Sequence, residues 1–389
     1  MPFLPVNREG MRERGWETLD FLFLSADAYV DHPSFGTALL TRLLEAEGYR
    51  VGIVAQPDVS DTECLQSMGR PRLGVLVSSG VVDSMVDNYT AARKPRSGDR
   101  YSPGGKAGRR PDRVTIRYCN LVREQFGDIP LIIGGVESSL RRFAHYDYWD
   151  DAVRRSILQD SRADILVYGM GERALLSIAA LLDKGVGVSG IQTVPGTCVM
   201  AASERMPERL RGFLETAGSL NDNFQPTFAR PFPDDGRHVL LPPYETVRDD
   251  RRAYADAFRI QYLEQDAVHG RTLLQRHGVR YVIQNPPARA LRQKELDRLY
   301  TFPFERRAHP MYDALGGVPS IEEVSRSITA HRGCFGGCNF CAITFHQGRV
   351  VQNRSPGSIL AEAEKIVSDP DFKGYIHDIG GPTANFHMP

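Results

Sequence analysis

The sequence predicts an α/β fold whose N-terminal part is a doubly wound parallel sheet. Short apolar runs of strand length alternate with segments of helical periodicity over the first half of the chain. Several of these runs lead into glycine, serine or acidic residues, the residue types found at the ligand-binding edge of such sheets. Strands separated by helices favour parallel pairing, because a parallel connection must cross from one end of the sheet to the other.

Five apolar runs are predicted to form the strands of this sheet, with helices between them. The predicted strands are Asp20–Leu24, Arg50–Val54, Arg72–Val77, Pro130–Ile133 and Asp164–Val167. The predicted helices are Phe35–Ala46, Val114–Phe126 and Ala174–Leu182. The residues expected at the ligand-binding edge are Asp27, His32, Ser78, Ser79, Gly134–Glu137 and Gly169–Glu172.

The composition is that of a globular chain without an extreme charge. Of the 389 residues, 41% are hydrophobic and 25% charged, and the formal net charge is zero. This gives no overall electrostatic argument for binding nucleic acid or an anionic membrane. No apolar run is long enough to span a membrane and the N-terminus lacks an apolar signal core, so we expect a cytoplasmic protein. Six cysteines do not indicate a disulfide framework; Cys119 and Cys198 are predicted to lie in the core, and Cys64 is undecided.

One segment near the C-terminus holds the other three cysteines, Cys334, Cys338 and Cys341, in the pattern C-x3-C-x2-C. Thiolates are the preferred ligands of iron–sulfur clusters, and three of them can leave the fourth iron of a four-iron cluster open. Glycines between the cysteines let the loop wrap closely, because positive φ costs glycine little. Zinc is the alternative and would need a fourth ligand, for which His331 and His346 are candidates. We expect both histidines to serve other roles.

This motif resembles that of the radical S-adenosylmethionine (SAM) enzymes, which carry C-x3-C-x-aromatic-C after the first strand of a partial (β/α) barrel. The wider sequence HRGCFGGCNFCAITFHQGR, with GYIHDIGGPTANFH downstream and SADAYVDHPSFG and PGGKAGRRPDR upstream, is similar to the YgiQ-type family of radical SAM proteins. The resemblance covers the whole chain. It implies that the N-terminal sheet is followed by the start of a radical SAM barrel.

The resemblance also implies cofactors and a reaction. Cys334, Cys338 and Cys341 would ligate a [4Fe-4S] cluster whose open iron chelates SAM, and Phe340 would lie near the adenine. Reductive cleavage of SAM would then yield a 5′-deoxyadenosyl radical that abstracts hydrogen from an unknown substrate. The electron would come from a donor such as flavodoxin or ferredoxin. The alternative is a non-catalytic iron–sulfur or zinc module with a structural or redox-sensing role.

A second barrel strand is predicted at Lys373–Asp378, leading into Gly380 and Gly381. In the family resembled, this strand often ends in GGE, which binds the SAM amino group. The two glycines match, so their backbone role is carried over. The carboxylate role is not, because a proline occupies that place; the residues that bear on this are Pro382, Thr383 and Asn385, of which the last two would have to substitute.

The N-terminal sheet resembles the cobalamin-binding domain that precedes many radical SAM cores, since LIIGG and DILVYGMGE are similar to its strand ends. That domain binds cobalamin through D-x-H-x-x-G. This chain has DHPSFG at residues 31–36, with both spacings off by one. The axial-ligand role is therefore not carried onto His32, and cobalamin stays open as a cofactor. The alternative is a capped turn in which Ser34 is the N-cap of the first helix.

A basic loop, residues 92–113, interrupts the sheet domain. It holds eight basic and two acidic residues, so 8 − 2 gives a net charge of +6, with glycine and proline throughout. One interpretation is an anion-binding loop for phosphate, nucleotide or RNA, in which Gly104–Lys106 offer backbone N–H groups. The other is a solvated loop whose acidic partners lie elsewhere. Nucleic acid therefore stays open as a partner.

The chain is predicted to have three regions. They are a Rossmann-like domain at 1–204, a linker and helical connection at 205–320, and an incomplete radical SAM core at 321–389. Only 48 residues follow Cys341, so we expect a truncated member of the family. Further predicted elements are the strands His238–Leu241, Tyr281–Gln284 and Arg326–Ala330 and the helices Val247–Glu264 and Ser355–Val367.

Overall fold

The computed structural model describes residues 3–61, 63–218, 232–381 and 386–387, and a nine-stranded mixed sheet is its main feature. Among these residues the strands are β1 (Phe21–Ser25), β2 (Val51–Ala55), β3 (Gly74–Ser78), β4 (Leu131–Gly134), β5 (His145–Asp147), β6 (Ala152–Arg154), β7 (Ile165–Val167), β8 (Thr197–Ala202), β9 (His238–Leu240), β10 (Thr272–His277), β11 (Arg280–Gln284), β12 (Ser327–Thr329), β13 (His331–Arg332), β14 (Gln352–Asn353) and β15 (Asp378–Gly380).

Helices cover the sheet and connect its strands. In the described part of the chain the α-helices are α1 (Arg8–Glu13), α2 (Gly36–Ala46), α3 (Ser84–Asn88), α4 (Val114–Phe126), α5 (Gly135–Leu140), α6 (Ile157–Ser161), α7 (Glu172–Asp183), α8 (Glu208–Gly218), α9 (Tyr244–Asp249), α10 (Arg251–Leu263), α11 (Gln293–Leu299), α12 (Ser320–Val324), α13 (Ile343–Gln347) and α14 (Pro356–Val367). Short 3-10 turns span Gln66–Met68, Pro103–Gly105, Val188–Gly190, Ser203–Arg205 and Pro310–Leu315.

The large sheet has the strand order β2-β1-β3-β4-β7-β8-β11-β10-β9. The first five strands in this order are parallel, whereas β8, β11 and β10 pair antiparallel with their neighbours and β9 is parallel to β10. The parallel part therefore has the doubly wound order 2-1-3-4-5, whose ligand crevice lies where the order reverses, between the first and third strands. The α/β class predicted from the sequence is confirmed.

Both faces of this sheet are buried, as a doubly wound fold requires. In β1, Phe21 and Phe23 pack on one face with helices α2, α7 and α8. Leu22 and Leu24 pack on the other face with α1, α4, α6 and α10. Because successive side chains of a strand point to opposite faces, a short continuous apolar run is the sequence pattern of such a strand.

The five predicted parallel strands are all present, with boundaries that differ by a few residues. Helix α4 has the predicted limits, and α14 begins as predicted, since the Ser355 hydroxyl accepts a hydrogen bond from the Ser358 N–H at 3.1 Å and Pro356 is the first helical residue. The prediction of one helix over Val247–Glu264 is wrong. Asp250 is extended (φ −125°, ψ 112°) and separates α9 from α10, which it caps.

Two further differences concern strands. Strands β8 and β10 were not expected from the sequence, and together with β9 and β11 they extend the parallel sheet on one side. The predicted barrel strand Lys373–Asp378 is misplaced, since the strand runs from Asp378 to Gly380 and pairs in parallel with β12.

The division of the chain at residues 204 and 320 stays a prediction, and part of the proline-rich segment 219–246 lies outside the described residues. No helix in the described ranges is both long and apolar enough to cross a bilayer.

Candidate functional site

A cavity of about 760 Å³ lies at the carboxyl ends of the parallel strands. On the sheet side it is lined by the ends of β1, β3, β4 and β7, and on the other side by residues of β12, β13 and β15. The predicted edge residues that line it are Asp27, Ser78, Gly134, Gly135 and Gly169–Glu172. The cavity therefore occupies the crevice at which doubly wound sheets bind ligands.

Asp27 is the first polar residue after β1, and it is held in place by the basic loop. Its carboxylate accepts hydrogen bonds from Arg110 Nη2 at 2.8 Å and from the Val81 N–H at 2.7 Å. Gly80 makes this possible, because it has φ +86° and a Cβ there would lie 2.1 Å from Asp27 Oδ1. Burial raises the pKa of Asp27, and Arg110 opposes that shift.

Arginines of the basic loop form ion pairs with carboxylates of the same chain, and this favours a structural role of the loop over an open anion site. Buried Arg110 pairs with Asp27, Asp87 and Asp99 at 2.8, 3.1 and 3.4 Å. Arg113 pairs with Asp147, the last residue of β5, at 2.8 Å.

The backbone donors that the sequence suggested for an anion are also in use. The N–H groups of Gly104, Gly105 and Lys106 donate to the carbonyls of Gly317, Ser102 and Pro103, at 2.8, 3.0 and 3.4 Å. The interpretation of Gly104–Lys106 as an anion-binding turn is therefore wrong.

The cysteine loop begins directly after β13, a two-residue strand that pairs antiparallel with β14. Gly333 follows with φ +87°, and a Cβ there would lie 2.3 Å from the Val350 carbonyl oxygen, so no other residue fits this turn. After the loop, α13 is anchored by Phe345, whose ring stacks on Phe258 with 5.6 Å between centroids and receives the Arg142 guanidinium at 5.0 Å.

Two of the three cysteine sulfurs lie beside Gly336. A Cβ at this glycine would be 3.2 Å from Cys334 Sγ and 3.9 Å from Cys338 Sγ, and the Gly336 N–H donates to Cys334 Sγ at 3.4 Å. Cys334 is buried, Cys341 half-buried and Cys338 exposed. Three thiols on one glycine-rich loop, with an N–H directed at a sulfur, suit an iron–sulfur cluster in their chemistry. Within the described ranges, however, no three His, Cys, Asp or Glu side chains are grouped closely enough to hold a metal ion.

The other predicted cofactor residues are dispersed. The Phe340 side chain is 92% exposed, whereas Gly380 and Gly381 line the cavity. Gly381 backs onto His331, because a Cβ there would lie 2.1 Å from His331 Nε2. Three residues that follow it in the sequence and were considered for SAM binding, Pro382, Thr383 and Asn385, lie outside those that the structure describes.

The two histidines considered as zinc ligands have other surroundings. His346 Nδ1 lies 3.1 Å from Ser139 Oγ, and burial lowers the pKa of His346 to about 4. His331 Nε2 accepts a hydrogen bond from the Phe386 N–H at 3.4 Å. The expectation that both histidines serve roles other than zinc binding stays a prediction.

His32 lies outside the cavity lining and is fully buried. Its Nδ1 accepts a hydrogen bond from the Ser34 N–H at 3.1 Å, and burial lowers its pKa well below the usual value. The turn interpretation of DHPSFG is therefore favoured over a ligand role, although Ser34 is not the N-cap. Helix α2 begins at Gly36, its N-cap is Phe35, and no side chain caps it.

An ion pair that sequence reasoning missed joins the sheet to the cysteine loop. Arg332, two residues before Cys334, donates through Nη1 to Glu172 Oε1 at 2.5 Å, and both side chains are buried. Glu172 is the first residue of α7 and is separated from Arg332 by 160 positions. The GMGE strand end drew attention to Glu172, but nothing in the sequence assigns it a partner.

The comparisons with known proteins establish the family. The family model described as radical SAM N-terminal matches residues 3–327, and the chain therefore belongs to this family. The chain is 51% identical over 386 residues to a UPF0313 protein of Clostridium botulinum strain 657, and 50% identical over 387 residues to a UPF0313 protein of Clostridium perfringens strain ATCC 13124. These alignments cover 99% and 100% of this chain but 56% and 54% of the relatives, so the chain spans about half the length of the curated relatives it matches.

A solved structure also resembles the chain. It is that of the radical SAM methyltransferase TsrM from Kitasatospora setae, with cobalamin and a [4Fe-4S] cluster bound. The TM-score is 0.44 at 18% sequence identity, and the match covers 94% of this chain and 47% of that one.

Proposed function

We propose that this chain is part of a YgiQ-type radical SAM enzyme in which Cys334, Cys338 and Cys341 hold a [4Fe-4S] cluster. One observation carries the proposal: two of the three sulfurs flank Gly336, whose N–H donates to Cys334. Amide donors to cluster sulfurs help to set the reduction potential. The family match supports the same assignment at the level of the class of protein.

The chain's own residues would position and enclose the reactants. Gly380 and Gly381 line the cavity with backbone that carries no side chains, and SAM would lie against them. When bound, the cluster would supply the electron that cleaves SAM. The cavity walls would exclude water from a reactive species, a role that proteins take in such chemistry. Phe340 would lie near the adenine, and the electron would come from a donor such as flavodoxin or ferredoxin, in a cytoplasmic setting.

The first test is anaerobic reconstitution with iron and sulfide, followed by electron paramagnetic resonance (EPR) of the reduced protein with and without SAM. The proposal expects a four-iron signal that SAM changes, and its loss in Cys338→Ala. Cys64→Ala is the matched control, because Cys64 lies outside the motif and should leave the signal intact.

A second candidate is a structural or redox-sensing iron–sulfur or zinc module, because thiolates are ligands of both. That function predicts metal uptake without any response to SAM. One zinc per chain and no iron would overturn the radical proposal. Cobalamin has no assigned ligand residue, because His32 is buried away from the cavity.

A further inference from the structure

Most cations of the basic loop, residues 92–113, are not used by its ion pairs. Arg110 and Arg113 pair with carboxylates of the sheet domain, and Arg100 pairs with Glu323 at the surface. The remaining five basic residues are exposed, and none of them forms an ion pair with a described carboxylate. They are Arg93, Lys94, Arg96, Lys106 and Arg109. The ion pairs therefore hold the loop on the fold and leave most of its positive charge on the outside.

The acidic residues of the loop do not offset these charges. Asp99 is buried and pairs with Arg110 at 3.4 Å. Asp112 accepts hydrogen bonds from the Tyr89 hydroxyl at 2.7 Å and from Asn88 Nδ2 at 2.8 Å. The chain as a whole has no net charge, so the loop is a local positive surface, and such a surface attracts a polyanion to one place.

The exposed cations stand on an ordered backbone. Isolated β-bridges join Tyr89 to Pro95 and Gly98 to Lys106. The Arg96 Nε–H group donates to the Tyr89 carbonyl at 3.1 Å. Side chains on a backbone that is already ordered lose less conformational entropy when a ligand binds.

Aromatic side chains lie directly beside these cations. Tyr146 in β5 and Tyr148 in the turn that follows are each 46% exposed. The Arg93 guanidinium lies over the Tyr148 ring at 4.6 Å, and its Nη1 donates to the Trp149 carbonyl at 3.3 Å. Trp149 packs against Tyr89 and Tyr148, with 5.3 Å between ring centroids in each pair. Loop and turn therefore form one aromatic–basic surface, made of Tyr89, Arg93, Lys94, Arg96, Tyr146, Tyr148 and Trp149.

The chemistry of this surface matches single-stranded nucleic acid. The phosphates of a strand attract cations, and its unstacked bases stack on aromatic rings and on arginine planes. In a duplex the base faces are covered by neighbouring bases, so the exposed rings of Tyr146 and Tyr148 would have no base to receive. The surface thus favours a single strand over a duplex.

The acidic residues of the same turn argue against an anionic membrane as the ligand. Asp150 and Asp151 are exposed, and Asp151 accepts a hydrogen bond from the Tyr146 hydroxyl at 2.6 Å. A flat anionic surface that met the aromatic rings would also meet these carboxylates, and like charges repel. The bases of a single strand, in contrast, carry N–H groups that can donate to a carboxylate.

We propose that the aromatic–basic surface binds single-stranded nucleic acid. The phosphates lie on Arg93, Lys94 and Arg96, and bases stack on Tyr146 and Tyr148. This binding requires neither the cluster nor SAM. It therefore goes beyond the proposed function and is measurable on the metal-free chain.

Fluorescence anisotropy of the metal-free chain with labelled oligonucleotides tests the proposal. The probes are oligouridylate RNA, oligodeoxyuridylate DNA and an RNA duplex, each about 12 nucleotides long, within the usual site sizes of about 4–16 nucleotides. At least one single strand should bind about tenfold more tightly than the duplex, because stacking adds to the phosphate contacts. Its log K should fall with log salt at a slope of about −2, as three phosphate contacts give. The RNA and DNA arms show whether the 2′-hydroxyl contributes.

Three variants locate the binding on this surface. Tyr148→Ala should weaken single-strand binding by about tenfold, because a stacked base is lost, and should leave the salt slope unchanged. Tyr148→Phe keeps the ring and loses only the hydrogen bond from the hydroxyl to the Ala91 carbonyl, at 2.7 Å, so it should retain most of the affinity. Lys94→Gln removes one phosphate contact and should make the slope shallower by about 0.7.

Lys184→Gln is the matched control. Lys184 is exposed and is the C-cap residue of α7. Its neighbour Asp183 pairs with Arg72, which lies just before β3, so this lysine is at the edge of the sheet opposite the basic loop. The control should change neither the affinity nor the slope. Should Tyr148→Ala fail to fold, Tyr146→Ala tests the same loss of stacking.

Three results would overturn the proposal. They are duplex binding as tight as that of the single strands, unchanged affinity in both Tyr148→Ala and Tyr146→Ala, and binding to vesicles of phosphatidylserine and phosphatidylcholine without binding to any oligonucleotide. A failure of the proposed radical function is read separately, from iron content and EPR, because the oligonucleotide measurements use the metal-free chain.

Discussion

The parallel half of the sheet and the cysteine segment, residues 327–381, differ in the interactions that stabilise them. All five residues of β1 are buried, and the strand pairs along its whole length with β2 and β3. In the cysteine segment the strands have two or three residues each, and large apolar side chains such as Phe340 and Leu360 are 92% and 63% exposed. Apolar burial therefore stabilises the sheet far more than it stabilises the loop that carries the motif.

The cysteine segment is attached to the rest of the chain by buried ion pairs. Arg332 reaches Glu172 of the sheet domain, and Glu362 of α14 pairs with Arg306 outside the segment and with Arg354 inside it. Such pairs fix geometry more than they add stability, because desolvation offsets their attraction. The comparison teaches that a sheet buried on both faces supports a less densely packed segment, and that the position of this segment depends on a few charged contacts.

The largest effect should come from the sheet core. Leu22→Ala removes a fully buried side chain of β1 and should lower the free energy of unfolding by about 3–5 kcal/mol, because it leaves a cavity in a closely packed layer. Leu360→Ala in α14, where the side chain is 63% exposed, should change it by less than about 0.5 kcal/mol. Urea unfolding measures both. Equal losses would remove the contrast between the two regions.

A smaller effect is expected where the cysteine segment is tightly packed. Gly381→Ala would place a Cβ 2.1 Å from His331 Nε2, so the ring must move and unfolding should become easier by about 1–3 kcal/mol. Gly357→Ala in α14 is the control, since its nearest atom, Ser355 Oγ, is 4.0 Å away. Thermal unfolding that ranks Gly381→Ala as neutral would mean that this end of β15 tolerates a side chain.

The next prediction concerns pH and the carboxylates around Arg110. Burial raises the pKa of Asp87 to about 6 from its ordinary value of 3.8. The folded protein therefore binds more protons than the unfolded chain between these values. Stability from this group falls as pH rises from about 4 to about 6, by at most about 1.4 kcal/mol per pH unit. Asp87→Asn should remove that slope, as measured by urea unfolding at several pH values; profiles that run parallel would contradict it.

The smallest effect on stability is expected for the exposed cysteine of the motif. Cys338→Ala should change the free energy of unfolding of the metal-free chain by less than about 0.5 kcal/mol, because its side chain is exposed. After reconstitution, the same variant should contain much less iron than the unchanged protein. Cys198→Ser, at a fully buried position where burial raises the thiol pKa to about 12, should instead be destabilising while retaining iron. Chemical denaturation and iron analysis distinguish the two behaviours.

Several features were readable from local sequence. Apolar runs located the five parallel strands, and helical periodicity gave α4 its limits. Ser355 and Pro356 marked the start of α14, because capping chemistry depends on neighbouring residues alone. Cys119 and Cys198 were correctly predicted to be buried. The three motif cysteines were identified by their spacing, and their role as cluster ligands stays a proposal.

Other features were decided by tertiary contacts. Strands β8 and β10 escaped prediction because GTCVMAA and TLLQRH lack a regular alternation, and they form through pairing with β11. The late start of β15 is likewise set by its pairing with β12.

The sequence by itself determined the class of fold, the order of its main elements and the location of the cysteine motif, because these depend on periodicity and short-range spacing. The tertiary structure decided which charges meet. It placed Arg110 among three carboxylates, so that a loop of net charge +6 is held in the fold by ion pairs. It also set Arg332 against Glu172 across 160 residues and beside a cavity. Contacts at such separation leave no local pattern, since they arise only when the sheet brings distant strand ends together.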